Sequence, residues 1–383
     1  MGLVVKKPGV ITTVQDRGRF GFQGSGFATN GVMDHRAYRI ANLLVENDPG
    51  APVLEFALAG PTLRFTTNSV FAVTGGDFQP TLNGEPVPGY TAVMARRGSV
   101  LQFKACTQGA YGYVSFAGGS LNVPEVMGSR STNLKCQLGG WKGGTLSAGD
   151  YLPFTTRHFD FLPNLGSHHL EEERDYYGFD EPEITVRVVP GPQEDLFTEE
   201  GLRTFYGAAF TATSKSDRMG YRLDGPEIQT KHGSDIISDG IAFGAVQIPS
   251  QGRPIIMLAD RQTTGGYAKI GTVASVDIPR LVQRRPGSTI RFERISVQEA
   301  QRLLREQEKH YESLAVKVRR PSADGMSPRR TARRLTPILE EQARRSKADE
   351  LWIVRGIQAD RDRDAARADA APTPAPTLEV ARD

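Results

Sequence analysis

Side chains able to do chemistry are most concentrated just past an apolar run, PIIMLA at 254–259. Asp260, Arg261, Gln262, Thr263, Thr264, Gly265, Gly266 and Tyr267 follow it without interruption. The run is apolar on both faces and reads as a buried strand, whose rigid end can place polar groups accurately. A carboxylate and a guanidinium at that end can move a proton and hold an anion. The two glycines allow close backbone approach or positive φ. The loop 260–267 is expected at the rim of its sheet, with Gln247 of the QIP segment beside it. The segment 216–222 is expected there too, with Asp217, Arg218 and Arg222. Ser214-Lys215-Ser216 has the composition of a Ser–Lys nucleophile. Neighbours on a strand point to opposite faces, however, so Lys215 does not serve either hydroxyl.

Three further segments combine turn glycines with polar side chains. Gln15-Asp16-Arg17-Gly18-Arg19 either holds a carboxylate or phosphate in its guanidinium forks or fixes its own turn by an ion pair. In Asn30-Gly31-Val32-Met33-Asp34, the aspartate reads as a helix N-cap. Gly128-Ser129-Arg130-Ser131-Thr132 is either an anion cradle or a decorated turn. The sequence contains no GxxxxGK[ST], HExxH, GxSxG or GxGxxG. No metal site is expected. His158, His168 and His169 fall in a polar stretch that reads as a solvated linker, and Cys106 and Cys136 form no CxxC pair. Both cysteines read as reduced thiols in or near a β core.

The elements that must position these residues are mainly β. Forty-one glycines and 24 prolines among 383 residues favour short strands and tight turns. Alternating apolar runs and turn signals, with a hairpin at Asn83-Gly84, predict a β subdomain over 1–155. A second is predicted over 184–293. A helix with the apolar positions Ala37, Ile40, Ala41, Leu44 and Val45 should begin after Asp34. The polar stretch 155–183 reads as a solvated connector. The capping box Ser296-x-x-Glu299 predicts a helix over 296–316, with apolar positions Ala300, Leu303, Leu304, Tyr311 and Leu314. The tail 319–383 reads as mostly disordered, with 351–354 the segment most able to dock. The stretch 317–347 carries ten Lys or Arg against three Asp or Glu, so the remainder of this +3 chain is near −4, which argues against a nucleic-acid groove. No apolar run reaches a membrane span and no signal peptide is read, so the expected location is cytoplasmic.

Taken together and in order, these segments resemble the KipA-like family, also called allophanate hydrolase subunit 2. It includes the C subunit of bacterial 5-oxoprolinase and half of the urea-carboxylase carboxyltransferase domain. TVQDRGRFGFQGSG, NGVMDHRAYRIANLLVEN, VPEVMGSRST, VVPGPQEDLFT, SDRMGYRLDG and SDGIAFGAVQIPSQGRPIIMLADRQTTGGYAKI carry the resemblance, from about Val4 to Phe292. It implies two cyclophilin-like β-barrel subdomains and a KipI-like partner subunit that completes the site. Three functions are compatible. One is the C subunit of an ATP-dependent 5-oxoprolinase, which also has a LamB/YcsF-like partner subunit. The second is a carboxyltransferase component acting on urea or a related amide, with biotin on a partner. The third is a non-enzymatic KipA-type antagonist of a kinase inhibitor. For the enzymes, the resemblance implies a small amide or lactam substrate and a chain inactive alone. Asp260, Arg261, Asp217 and Arg218 are then the catalytic candidates. Asp16, Arg19, Asp34, Arg222, Gln247, Gln262, Thr263, Thr264, Gly265, Gly266 and Tyr267 are the substrate- or anion-binding ones.

Overall fold

The computed structural model describes residues 1–155 and 168–319. His158, most of the polar connector and the basic tail beyond 319, including 351–354, lie outside them. The described chain is mainly β, as expected. The first half contains a six-stranded and a five-stranded sheet. The first sheet runs Tyr151–Pro153, Gly2–Lys7, Thr62–Phe65, Val100–Gln102, Thr81–Leu82, Glu85–Pro86. The second runs Ile11–Gln15, Val53–Ala57, Gln108–Phe116, Ser69–Asp77, Ala92–Ala95. One core joins them: Leu3, Val5, Leu63 and Phe65 of the first pack with Val14, Leu54, Phe71 and Phe116 of the second. The ring centroids of Phe65 and Phe71 are 5.6 Å apart across that core. The Asn83-Gly84 hairpin forms as read: Leu82 pairs with Glu85, and both turn residues take positive φ, 55° and 92°.

The second half is a closed seven-stranded barrel. Its order is Glu183–Pro190, Lys269–Val273, Ala245–Gln247, Ile255–Met257, Gly220–Asp224, Phe210–Ala212, Thr289–Arg294. Parallel pairing of Glu183–Pro190 with Thr289–Arg294 closes it. A two-stranded ribbon, Asp235–Gly240 with Thr264–Tyr267, projects from it. Ile237 on the ribbon is 94% exposed.

The helix His35–Leu44 buries Ala37, Ile40, Ala41 and Leu44, the face the spacing predicts. The terminal helix Val297–Arg319 starts where Ser296 Oγ accepts from Glu299 N, at 3.1 Å. Its buried positions are Tyr311, Leu314 and Val318, whereas Leu304 is exposed, contrary to the expected face. The reason is that only its last turns meet the first helix and its neighbours. The solvated-connector reading is also corrected for 168–183. Leu170 and Tyr177 are fully buried, and Glu173 pairs with Arg36 and, at 3.0 Å, with His310. Cys106 is half-buried and Cys136 exposed, so neither thiol belongs to a sealed core.

Asp34 caps the first helix. Its Oδ1 accepts from Ala37 N at 2.9 Å and its Oδ2 from Gln283 Nε2 at 2.8 Å. Complete burial pushes its carboxyl up to about 6, against the pull of those two bonds. A raised folded-state value means that the linked stabilisation is full below the unfolded value, about 3.9, and is lost as pH rises through the folded one. Asp34→Ala is expected to cost about 1–3 kcal/mol in urea unfolding at neutral pH. Relative to Asp34→Asn, which cannot titrate, the wild type should gain stability as pH falls from about 7 to about 5. A constant difference would show that Asp34 is not the titrating group.

Candidate active site

A cleft of about 600 Å³ lies between the halves. The first half contributes Ile11, Thr13, Glu55 and the turn residues Leu134, Lys135 and Cys136. The barrel contributes Asp217, Arg218, Met219, Asp260, Arg261, Gln262 and Thr263. Two chain segments cross closely, one of which also lines the cleft at Gly26, Ala28 and Met33. Arg19 N donates to Thr29 O at 2.6 Å, and a Cβ on Gly18 or Gly31 would meet backbone at 2.9 or 2.8 Å. Both positions also take positive φ, so glycine is required there. The crossing brings Thr29 and Asn30 against the end of the buried barrel strand.

A chain of hydrogen bonds then spans both halves. Asn30 Nδ2 donates to Asp260 Oδ1 at 2.7 Å. Arg218 grips Asp260 with two nitrogens, Nε at 2.8 Å to Oδ2 and Nη2 at 3.1 Å to Oδ1. Its Nη2 also donates to Gly31 O at 2.6 Å, and its Nη1 bonds Glu55 Oε1. Glu55 Oε2 accepts from Met33 N at 2.7 Å and from the Tyr113 hydroxyl at 2.8 Å. Behind Asn30, Arg19 is fully buried and donates to Asn30 Oδ1, Val126 O and Ser131 O. Burial opposes the Arg218 charge, but Asp260 and Glu55 together outweigh it and hold the guanidinium above its ordinary value. Burial pushes the Glu55 carboxyl up, with Arg218 pulling back. Of the two carboxylates, Glu55 is 3% exposed and Asp260 17%. Asp260 is therefore the one a ligand in the cleft can reach.

The structure brings together some of the sequence candidates and separates others. Asp260, Arg261, Asp217, Arg218, Gln262 and Thr263 share the cleft. Asp217 accepts from Met219 N and Gly220 N at 2.9 and 3.0 Å, so it also pins its own turn. Arg218 is occupied by two carboxylates and holds Asp260 through two of its nitrogens. Asp16 is buried as a loop clamp, accepting from Ser129 Oγ and Gly18 N. Each of the three Arg19 nitrogens already donates within the protein, to Val126 O, Asn30 Oδ1 and Ser131 O. Asp34 is a cap bonded to Gln283. Arg222 is exposed on its strand, outside the cleft. Ser214 and Lys215 lie in a turn between strands. Thr264, Gly265, Gly266 and Tyr267 do not continue the loop: they form a ribbon strand, because the backbone pairs with Asp235–Gly240. Gln247 is buried against Gly265, with its Nε2 among the buried atoms that lack a hydrogen-bond partner. Arg261 is 9% exposed, inside the rim where it was expected. Sequence reasoning missed Glu55, Thr29 and Tyr113. For Glu55 a signal existed: an acid with apolar neighbours on both sides in the strand VLEFA.

The model of the carboxyltransferase domain, subdomain A and B, matches residues 25–294. The chain is 37% identical over 296 residues to the 5-oxoprolinase C subunit of Haemophilus influenzae, covering 77% of this chain and 92% of that one. It is 36% identical over 316 residues to the 5-oxoprolinase C subunit of Escherichia coli, covering 82% and 98%. Among solved structures, the K. lactis urea amidolyase aligns with a TM-score of 0.73 at 30% identity, over 82% of this chain and 20% of that chain. The chain thus spans nearly the full length of the two 5-oxoprolinase subunits and about a fifth of the amidolyase. Among the described residues no helix is long and apolar enough to cross a membrane.

Proposed function

The chain belongs to the carboxyltransferase family of subdomains A and B, and from that premise we propose that it is the C subunit of a 5-oxoprolinase. The observation that carries the reading is the near-complete match to two subunits of that name. The reaction is hydrolytic opening of a lactam: water oxygen bonds to the carbonyl carbon, the C–N bond breaks and the nitrogen gains a proton. In this reading Asp260 is the cleft's proton acceptor or water-orienting group, kept in place by Arg218 and Asn30. Gln262 and Thr263 contact the amide. Urea amidolyase relatives support biotin-dependent carboxyl transfer only more distantly, since they match over a small part of their length.

ATP activates the amide in the proposed reaction, but the cleft residues do not suit a triphosphate. Arg218 is neutralised by two carboxylates and Arg284 donates to the carbonyls of Tyr177 and Glu181, which leaves Arg261 and the exposed Lys135. We therefore place ATP on another part of a cytoplasmic complex that includes KipI-like and LamB/YcsF-like partner subunits. Capture of the tagged chain from its own lysate is expected to recover those partners and 5-oxoproline hydrolysis. The purified chain alone should show none. Turnover by the isolated chain would refute the division of labour, and a captured complex inert toward 5-oxoproline would refute the substrate.

A further inference from the structure

We propose that Arg261 is the receptor for the substrate's carboxylate, so that the cleft selects an anionic lactam acid over a neutral amide. The guanidinium is unusual for its surroundings. Nε donates to Ile241 O at 3.0 Å, and Nη1 donates to Thr29 Oγ1 at 3.0 Å and to Leu258 O at 3.2 Å. All three acceptors are uncharged. Among the described residues no acceptor bonds Nη2, and no carboxylate pairs with this side chain. Its Cζ lies over the Phe243 ring, 5.6 Å from the centroid. A cation more than nine-tenths removed from water, bordering a cleft and lacking a counter-ion, is a costly arrangement unless an anion arrives. In keeping with this, burial alone lowers the guanidinium to about 10.

Geometry extends the argument to the rest of the substrate. Asn30 holds Asp260, and Thr29, its chain neighbour, holds Arg261. A carboxylate acceptor and a guanidinium donor are therefore presented by adjacent residues, both fixed by an adjacent pair. A five-membered lactam acid carries its N–H and its carboxylate on neighbouring ring atoms. The N–H would donate to Asp260 while the carboxylate takes the Nη2 edge of Arg261. Arg218, shared with Glu55, offsets part of the Asp260 charge, and the Arg261 guanidinium attracts the carboxylate directly. Urea has no anionic group to place on Arg261, and its binding would leave the buried cation without a counter-ion.

The inference rests on the lactam-hydrolase reading, and its test uses the complex captured through a tag on the full chain. Arg261→Gln is expected to raise KM for 5-oxoproline by about 10–100-fold, the worth of a charge-assisted hydrogen bond. Its kcat should change by less than about threefold, because the contact is already made in the ground state. Inhibition by the neutral lactam 2-pyrrolidinone should not change, and Arg261→Lys should recover part of the loss. Equal weakening of the charged and neutral ligands, or a lower melting temperature with KM unaltered, would mean that Arg261 is only a strut. A second arm needs no variant and no turnover: calorimetry of the wild-type complex with cyclopentanecarboxylate and its uncharged isostere cyclopentanecarboxamide. Preference for the carboxylate by at least about tenfold supports the receptor, and equal or absent binding overturns it. A complex that binds carboxylates selectively but leaves 5-oxoproline intact would retire the hydrolase reading while retaining the subsite.

Discussion

Arg218→Met is expected to destabilise the folded chain by about 3–5 kcal/mol, a drop in melting temperature of roughly 10 °C. Three features set this magnitude. The Arg218 side chain is 12% exposed and Glu55 3%, so removing the cation strands a buried carboxylate. Asp260 loses both nitrogens of its grip and keeps Asn30. Gly31 O loses its donor, and with it one of the bonds joining the halves. The penalty arises mainly from the unpaired charge on Glu55 and not from the net worth of the ion pair. Glu55→Gln combined with Arg218→Met should therefore recover a substantial part of the loss, even though it deletes more of the network. Thermal and urea unfolding of the two single variants and the double variant close the cycle. Additive losses in the double variant would refute the stranded-charge account.

Much of the fold was legible because its signals are local. The cap at Asp34 and the period of Ala37, Ile40, Ala41 and Leu44 lie within one segment, as do the Asn83-Gly84 turn and the Ser296 cap. The site was only half legible because its logic is long-range. Glu55 reads as an oddity inside VLEFA until Arg218, 163 residues later, is placed against it. Arg218 reads as a free anion binder for the same reason, since no local pattern shows that two carboxylates already occupy it. Asp16 and Arg19 were undecidable between ligand and strut. The same forks and carboxylates serve both, and their partners Ser129 and Ser131 arrive from more than 100 residues away. The run EEER at 171–174 looks solvated, yet Glu173 meets Arg36 across 137 residues. Conversely, the segment beginning at Asp260, whose first four residues line the cleft, stands out in the sequence because an abrupt switch from PIIMLA to polar residues is itself local.

Asp260→Asn is expected to reduce turnover of the assembled complex by about 10²–10⁴-fold, the range for loss of a positioned proton-transfer group. The substitution is nearly isosteric, and an amide oxygen can still accept from Asn30 and from one nitrogen of Arg218. What disappears is the negative charge, and with it the capacity to take a proton. Stability should suffer far less than in Arg218→Met. The buried cation keeps Glu55, so no charge is left stranded, and a loss of about 1–2 kcal/mol covers the weakened bonds. Partner capture should be unchanged, because Asp260 faces the cleft and its bonds are internal to this chain. Binding of 2-pyrrolidinone should weaken only modestly, since an amide oxygen still accepts its N–H. The pattern to look for is thus a collapse in kcat with assembly, melting temperature and ligand binding largely kept. Asp260→Glu gives the companion measurement: it retains the charge but pushes it one methylene further into the cleft, so it should regain some turnover without matching the wild type. If Asp260→Asn kept wild-type kcat while losing melting temperature, Asp260 would be a counter-ion for Arg218 alone, and the proton acceptor would have to come from elsewhere in the complex.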